Sequence, residues 1–130
     1  MREPSRTDRA LVDFMLREAE IARSYAAESR TKYLAADTEG LHLRDGLWRH
    51  VLQFLESGTR LGQSFRNANP QIPWALIHEL RQELVHNYPE VAPDRVRAFA
   101  LEELPRASRQ LRRGRFPGES DSQSAPRRHR

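Results

Sequence analysis

An all-α fold, a compact bundle of four or five helices, is what this 130-residue sequence predicts. Three observations carry the prediction. Apolar residues recur three and four apart over several long stretches, the spacing of one face of a helix. No segment reads as a strand, and there is no internal repeat. Prolines and turn-rich clusters fall between the periodic stretches, where helices begin and end.

Residues 1–7 are expected to be disordered. Asp8 to about Ser29 reads as the first helix, with Leu11, Phe14, Met15, Ala22 and Tyr25 at helical spacing and Arg17, Glu18, Glu20 and Arg23 largely off that stripe. A connection over 30–40 holds Asp37, Thr38 and Gly40. The second helix runs from about Leu41 to Gln63, with an apolar face of Leu43, Leu47, Val51, Phe54, Leu55 and Leu61. Gly46 and Gly58 lie inside it, each costing roughly 1 kcal/mol against alanine, and so mark close helix approach.

Arg66-Asn-Ala-Asn-Pro-Gln-Ile72 reads as a loop. Pro73 suits the first position of a third helix, where its missing N–H has no intrahelical partner to lose. Trp74, Ile77, Leu80, Leu84 and Val85 give this helix its apolar side. Pro89 pushes Tyr88 towards extended geometry, so the helix should end near Asn87, a residue that tolerates the left-handed position after a helix. A fourth helix starts at Pro93-Asp94 and uses Val96, Phe99 and Ala100. Pro105 should kink or split it. A short basic segment follows to about Arg113. The domain is therefore set at 8–113, and 114–130, rich in Gly, Pro, Ser and Arg, is expected to be a disordered tail.

Composition narrows the function. Hydrophobic residues make up 38 % of the chain, and there are no cysteines, which excludes disulfides and thiolate metal sites. No run of 18 apolar residues is present, so no membrane span is expected. The N-terminus lacks the apolar stretch of a signal peptide. A cytoplasmic protein is the simplest expectation. The net charge of +4 is uneven: residues 106–130 carry eight arginines and two acids, whereas residues 1–105 hold 14 basic and 16 acidic residues. The body is near neutral, and the C-terminal end is positive enough to attract nucleic acid or an acidic partner, or simply to aid solubility. The small core makes a dimer plausible on burial grounds alone.

The chemistry concentrates in Arg81-Gln-Glu-Leu-Val-His86-Asn-Tyr88. Arginine is a permanent cation whose fork matches phosphate oxygens. Histidine exchanges protons near neutral pH. Together they are suited to a phosphodiester. On a regular helix Arg81 and Tyr88 share a face, but His86 lies about 140° from Arg81. A turned helix end with arginine's long reach, two chains meeting across a symmetric interface, or a combination of these would bring them together. An arginine and a histidine five apart are, by spacing alone, more often surface than site, and His86 could simply favour the helix C-terminal dipole. Two other histidine pairs, His42 with His50 and His78 with His86, are eight apart, which is a poor zinc spacing. No structural metal and no cofactor are expected. Glu79 and Glu83 read as ordinary surface residues. Phe14, Tyr25, Trp48, Phe54, Phe65 and Trp74 read as core or interface.

Arg-x4-His-x-Tyr resembles the signature of HepT-like toxins of the HEPN superfamily (DUF86). The likeness extends to Ile72-Pro-Trp-Ala-Leu-Ile-His-Glu-Leu-Arg81, to Val91-Ala-Pro-Asp-Arg-Val-Arg-Ala-Phe99 and to Glu103-Leu-Pro105, and covers roughly residues 8–112. It implies a HEPN bundle, a symmetric homodimer, and a toxin that cuts RNA without metal. Arg81 and His86 would be catalytic, with Gln82 and Asn87 supporting the cleft. It also implies a partner, an MntA-like minimal nucleotidyltransferase antitoxin of a type VII-like pair, that transfers AMP to Tyr88. Three positions depart from the family pattern: Gln82 follows the arginine in place of Asn, Asp or His; Thr59 stands where an acid is common; Pro89 replaces a bulky residue. A non-catalytic HEPN module that binds nucleotide or serves the transferase is the alternative. A plain helical dimerisation protein is a third.

Overall fold

The computed structural model describes residues 4–87 and 90–117, with side chains from Thr7 onward. Among the described residues every regular element is helical: α1 (Pro4–Ala26), α2 (Arg30–Leu34), α3 (Thr38–Thr59), α4 (Gln63–Ala68), α5 (Trp74–His86), α6 (Pro93–Ala98), a π-helical turn (Phe99–Glu103) and α7 (Leu104–Arg112). The all-α bundle expected from the sequence is the fold observed.

α1 and α3 form the principal pair, with α5 against α3 and α7 against α1. The face α1 buries is Val12, Met15, Ala19, Ala22 and Ala26. This stripe is shifted from the expected one: Phe14 and Tyr25 flank the seam, and small residues fill it, which lets α3 come close. α3 answers with Leu47, Val51, Phe54 and Leu55. Both interior glycines have the predicted role. A methyl on Gly58 would sit 3.0 Å from Ile77 Cγ2 and 3.2 Å from Met15 Cε, so this position is where α1, α3 and α5 converge. A methyl on Gly46 would overlap the Tyr25 ring.

α1 starts at Pro4, earlier than expected. Asp8, expected at the start of the first helix, is already inside it and buried; its carboxylate accepts the Gly62 N–H at 3.0 Å and so closes the start of α4. The 30–40 connection contains α2, capped by the Ser29 hydroxyl, and Asp37 caps α3 through the Gly40 N–H. The second helix ends at Thr59, and part of the expected loop is the short helix α4, anchored by buried Phe65. A six-residue helix with no apolar repeat leaves no periodic signal to read.

Two prolines differ in detail from expectation. Pro73 is the residue before α5, with Trp74 its first helical residue. Pro105 does not end the last helix, but regular α-helical winding is interrupted just before it. The chain runs helically from Pro93 to Arg112, and the widened turn at 99–103, in which the Leu104 N–H bonds to the Phe99 carbonyl, relieves the clash that a proline ring makes with the carbonyl four residues earlier.

The packed body also extends past Arg113, the boundary expected for it. The Asn69 side chain accepts the Arg115 N–H at 2.8 Å and donates to the Arg115 carbonyl at 3.0 Å. Phe116 is buried against Phe65, ring centroids 4.9 Å apart, with the Arg9 guanidinium 4.2 Å over its own ring. Residues 118–130, the rest of the expected tail, lie outside the described residues, as do residues 1–3. Among the described residues no helix is long and apolar enough to cross a membrane.

Candidate active site

α5 carries the Arg81–His86 pair. Ile77, Leu80 and Leu84 are its buried residues, spaced three and four apart, and they fix its rotation against α3. Its start is held from below: Trp74 packs edge-on against Phe65 at 6.1 Å, and its indole N–H donates to the Asn69 carbonyl at 3.0 Å. With that stripe inward, Arg81 falls on the flank facing α3 and Glu83 on the flank facing α6. Glu83 pairs with Arg95 of α6 at 2.8 Å. Val85, expected on the apolar side, is instead 40 % exposed.

Arg81 is half-buried. Its Nη2 lies 3.6 Å from Glu56 Oε2 of α3, and its Nη1 donates to Gln82 Oε1 at 2.9 Å. Its Nε is out of contact with water and has no hydrogen-bond partner among the described residues. The guanidinium is therefore oriented but incompletely satisfied, and two neighbouring oxygens hold it in place.

His86 is exposed at the last residue of α5, and Asn87 follows as the cap, its N–H bonded to the Glu83 carbonyl at 2.9 Å. The helix ends where expected, and Asn87 closes it at φ −120° and ψ 4° without using the left-handed region that asparagine tolerates. α5 stays regular through His86, so nothing in the helix end swings the imidazole towards Arg81. The two side chains stand about 140° apart around the helix. Within one chain, the described residues do not bring the two side chains together. Gln82 touches Arg81, whereas the Asn87 side chain is solvent-exposed. Tyr88, the expected site of modification, lies outside the described residues.

The hollow at the end of α5, about 420 Å³, is lined by Glu83, Asn87 and Glu90 with Arg95 and includes neither Arg81 nor His86. Glu56 is the residue that sequence reading missed. The acid expected by family pattern falls at the position of Thr59, one turn further along α3, and Thr59 here donates its hydroxyl to the Glu56 carbonyl at 2.8 Å. The signal for Glu56 was its place immediately before Ser57-Gly58, the small pair over which α5 crosses.

The histidine pairs of the sequence do not gather. His50 bonds through Nδ1 to Glu18 Oε1 at 2.6 Å and stacks on Tyr25 at 5.6 Å, a contact of the α1–α3 seam. Among the described residues no group of three or more metal-ligating side chains comes together.

Comparison with known families places residues 15–113 within the family described as HepT-like, ribonuclease HepT-like, a span that includes both Arg81 and His86. Neither the curated proteins nor the solved structures returned a match.

Proposed function

The chain belongs to the HepT-like ribonuclease family, and from that membership we propose that it is the toxin half of a toxin–antitoxin pair, a metal-independent endoribonuclease of the cytoplasm. The observation that carries the reading is the pairing, on one helix of a family member, of an oriented guanidinium at Arg81 with a free imidazole at His86.

In this mechanism His86 takes the proton from a ribose 2′-hydroxyl, and the freed oxygen attacks the adjacent phosphorus. Arg81 stabilises the negative charge that builds on the phosphorane oxygens. The P–O5′ bond breaks, the leaving oxygen gains a proton, and the ends are a 2′,3′-cyclic phosphate and a 5′-hydroxyl. Because Arg81 and His86 diverge on one helix, the working site combines Arg81 of one protomer with His86 of its partner in a symmetric homodimer. Water supplies the proton that the leaving oxygen takes. Gln82 and Asn87 support the cleft.

The antitoxin is a minimal nucleotidyltransferase of the MntA-like kind, and its target is Tyr88. AMP on that phenol adds a phosphate that competes with the RNA phosphate for the Arg81 cation.

Incubation with total RNA in EDTA, wild type beside His86→Ala, tests the proposal. Cleavage by the wild type alone, leaving cyclic-phosphate ends, is the expected result. The second reading, a non-catalytic module that binds nucleotide for the transferase, draws on the divergence of Arg81 and His86 within the chain. It is favoured if neither protein cleaves after intact mass has excluded AMP on Tyr88.

A further inference from the structure

A second cationic site lies between α1 and α7. The pocket there, about 110 Å³, is lined by Arg23 and Glu20 from α1 and by Ser108, Arg109 and Arg112 from α7, with buried Ala19 among its lining residues. The sequence explains the assembly. Ala19, Glu20 and Arg23 fall at three- and four-residue spacing on one face of α1, and Ser108, Arg109 and Arg112 do the same on α7. The small Ala19 lets the two faces approach.

The state of these side chains sets them apart. Most of the well-placed arginines elsewhere in the body are structural: Arg30 is forked onto Asp94, Arg44 bonds the Tyr33 and Ala35 carbonyls, and Arg95 pairs with Glu83. Arg23, Arg109 and Arg112 have no ion pair or side-chain hydrogen bond among the described residues. Three cations thus face one carboxylate. Ser108 is 7 % exposed, and its hydroxyl is shut off from water with no partner among the described residues. A buried hydroxyl without a partner costs roughly 1–3 kcal/mol, and the residue that carries it lines the floor of this pocket.

We propose that this pocket is a phosphate-binding subsite that takes one backbone phosphodiester of an RNA strand, apart from the scissile phosphate. The proposal rests on the ribonuclease reading for its RNA. Guanidiniums from two helices offer donors to a tetrahedral oxyanion from two sides. The volume is well below the ~300 Å³ at which pockets for whole small molecules begin, so a phosphate enters and a base does not. Binding here is therefore independent of sequence and fixes the path of the strand across α1 and α7.

The test uses the full chain and a short fluorescein-labelled single-stranded 2′-O-methyl RNA, which has no free 2′-hydroxyl and is not cleaved. Anisotropy is followed between about 50 and 200 mM salt. The pocket variant is Arg109→Ala with Arg112→Ala. The charge-matched control, on the same segment but outside the pocket lining, is Arg106→Ala with Arg113→Ala. The pocket variant is expected to bind about tenfold more weakly near 100 mM salt and to lose about 0.7 from the slope of log affinity against log salt, the share of one phosphate on a single strand. Ser108→Ala should leave the slope unchanged, since it removes no charge. Equal losses in the pocket and control pairs overturn the proposal, because diffuse charge then suffices. If only the binding of inorganic phosphate is lost, followed by its phosphorus resonance, the pocket takes free phosphate and the RNA assignment is overturned. Absence of RNA binding by the wild type sinks the ribonuclease reading itself, a result distinct from either. All four arginines are exposed on or beside a helix, where alanine is well tolerated, and thermal melting of each variant verifies the fold.

Discussion

Glu56 of α3 and Arg81 of α5 face each other across the helix seam at 3.6 Å, with 39 and 31 % of their side chains exposed. The catalytic candidate's charge is thus already balanced before any phosphate arrives, and substrate must displace a carboxylate to reach it. Exposed pairs of this kind are worth roughly 0.2–1 kcal/mol. Glu56→Gln is therefore expected to tighten single-stranded RNA binding by about two- to fivefold, measured at fixed salt. Unchanged or weaker binding would instead make Glu56 a residue that positions Arg81.

The divergence of Arg81 and His86 on one regular helix has a sharp consequence for mixed dimers. Arg81→Ala and His86→Ala should each be inactive alone. Mixed in equal amounts and allowed to exchange, half of the dimers are hybrids, each with one intact composite site. Cleavage should return to about a quarter of the wild-type rate. No recovery would place both residues in a site within a single chain.

Asn69 bonds the Phe65 carbonyl at 2.8 Å and both backbone groups of Arg115, all from a buried side chain. Asn69→Ala removes three hydrogen bonds and strands an amide N–H. A loss of about 2–4 kcal/mol in urea unfolding is expected. Asn69→Asp tests the geometry, since it keeps the acceptor for the Arg115 N–H and loses the donor.

Arg30 holds Asp94 by two hydrogen bonds, at 2.7 and 3.1 Å, which draws the carboxyl below its ordinary range and raises the guanidinium. A depressed carboxyl contributes stability above its unfolded value and loses it as pH falls through the folded one. The α2–α6 contact should therefore weaken only in acid, below about pH 4. Comparing acid unfolding of the wild type and Asp94→Asn measures this: the variant should lose part of the pH dependence there and differ little at higher acidity.

Much of the fold was legible because long helices repeat their apolar residues. α1, α3 and α5 announce themselves through Met15, Leu47, Phe54, Ile77 and Leu80, and Gly46 and Gly58 were correctly read as sites of close approach. What stayed hidden depends on contacts between distant segments. α4 is too short for a period, and its anchor Phe65 is completed by Phe116 from the far end of the chain. Phe116 sits among Gly, Pro and Arg and looks like tail. At the candidate site, Arg81 and His86 were found by spacing and family likeness. Glu56 was not, because only the crossing of α5 over Ser57-Gly58 brings it to the arginine. The end of α5 at Asn87 was legible from Pro89 two residues on.

The widened turn at Phe99–Glu103 sets the phase of everything after it. A π turn holds one residue more than an α turn, so α7 emerges rotated by about 100° from where an unbroken helix would point it. Leu104, Ala107 and Leu111 reach the core only in that phase, and Ser108 and Arg112 meet α1 only because those three do. Removing a single residue such as Glu102 would restore ideal helical winding, turn the basic face of α7 away from its partner helix, and leave the sequence almost unchanged while dismantling the surface it builds.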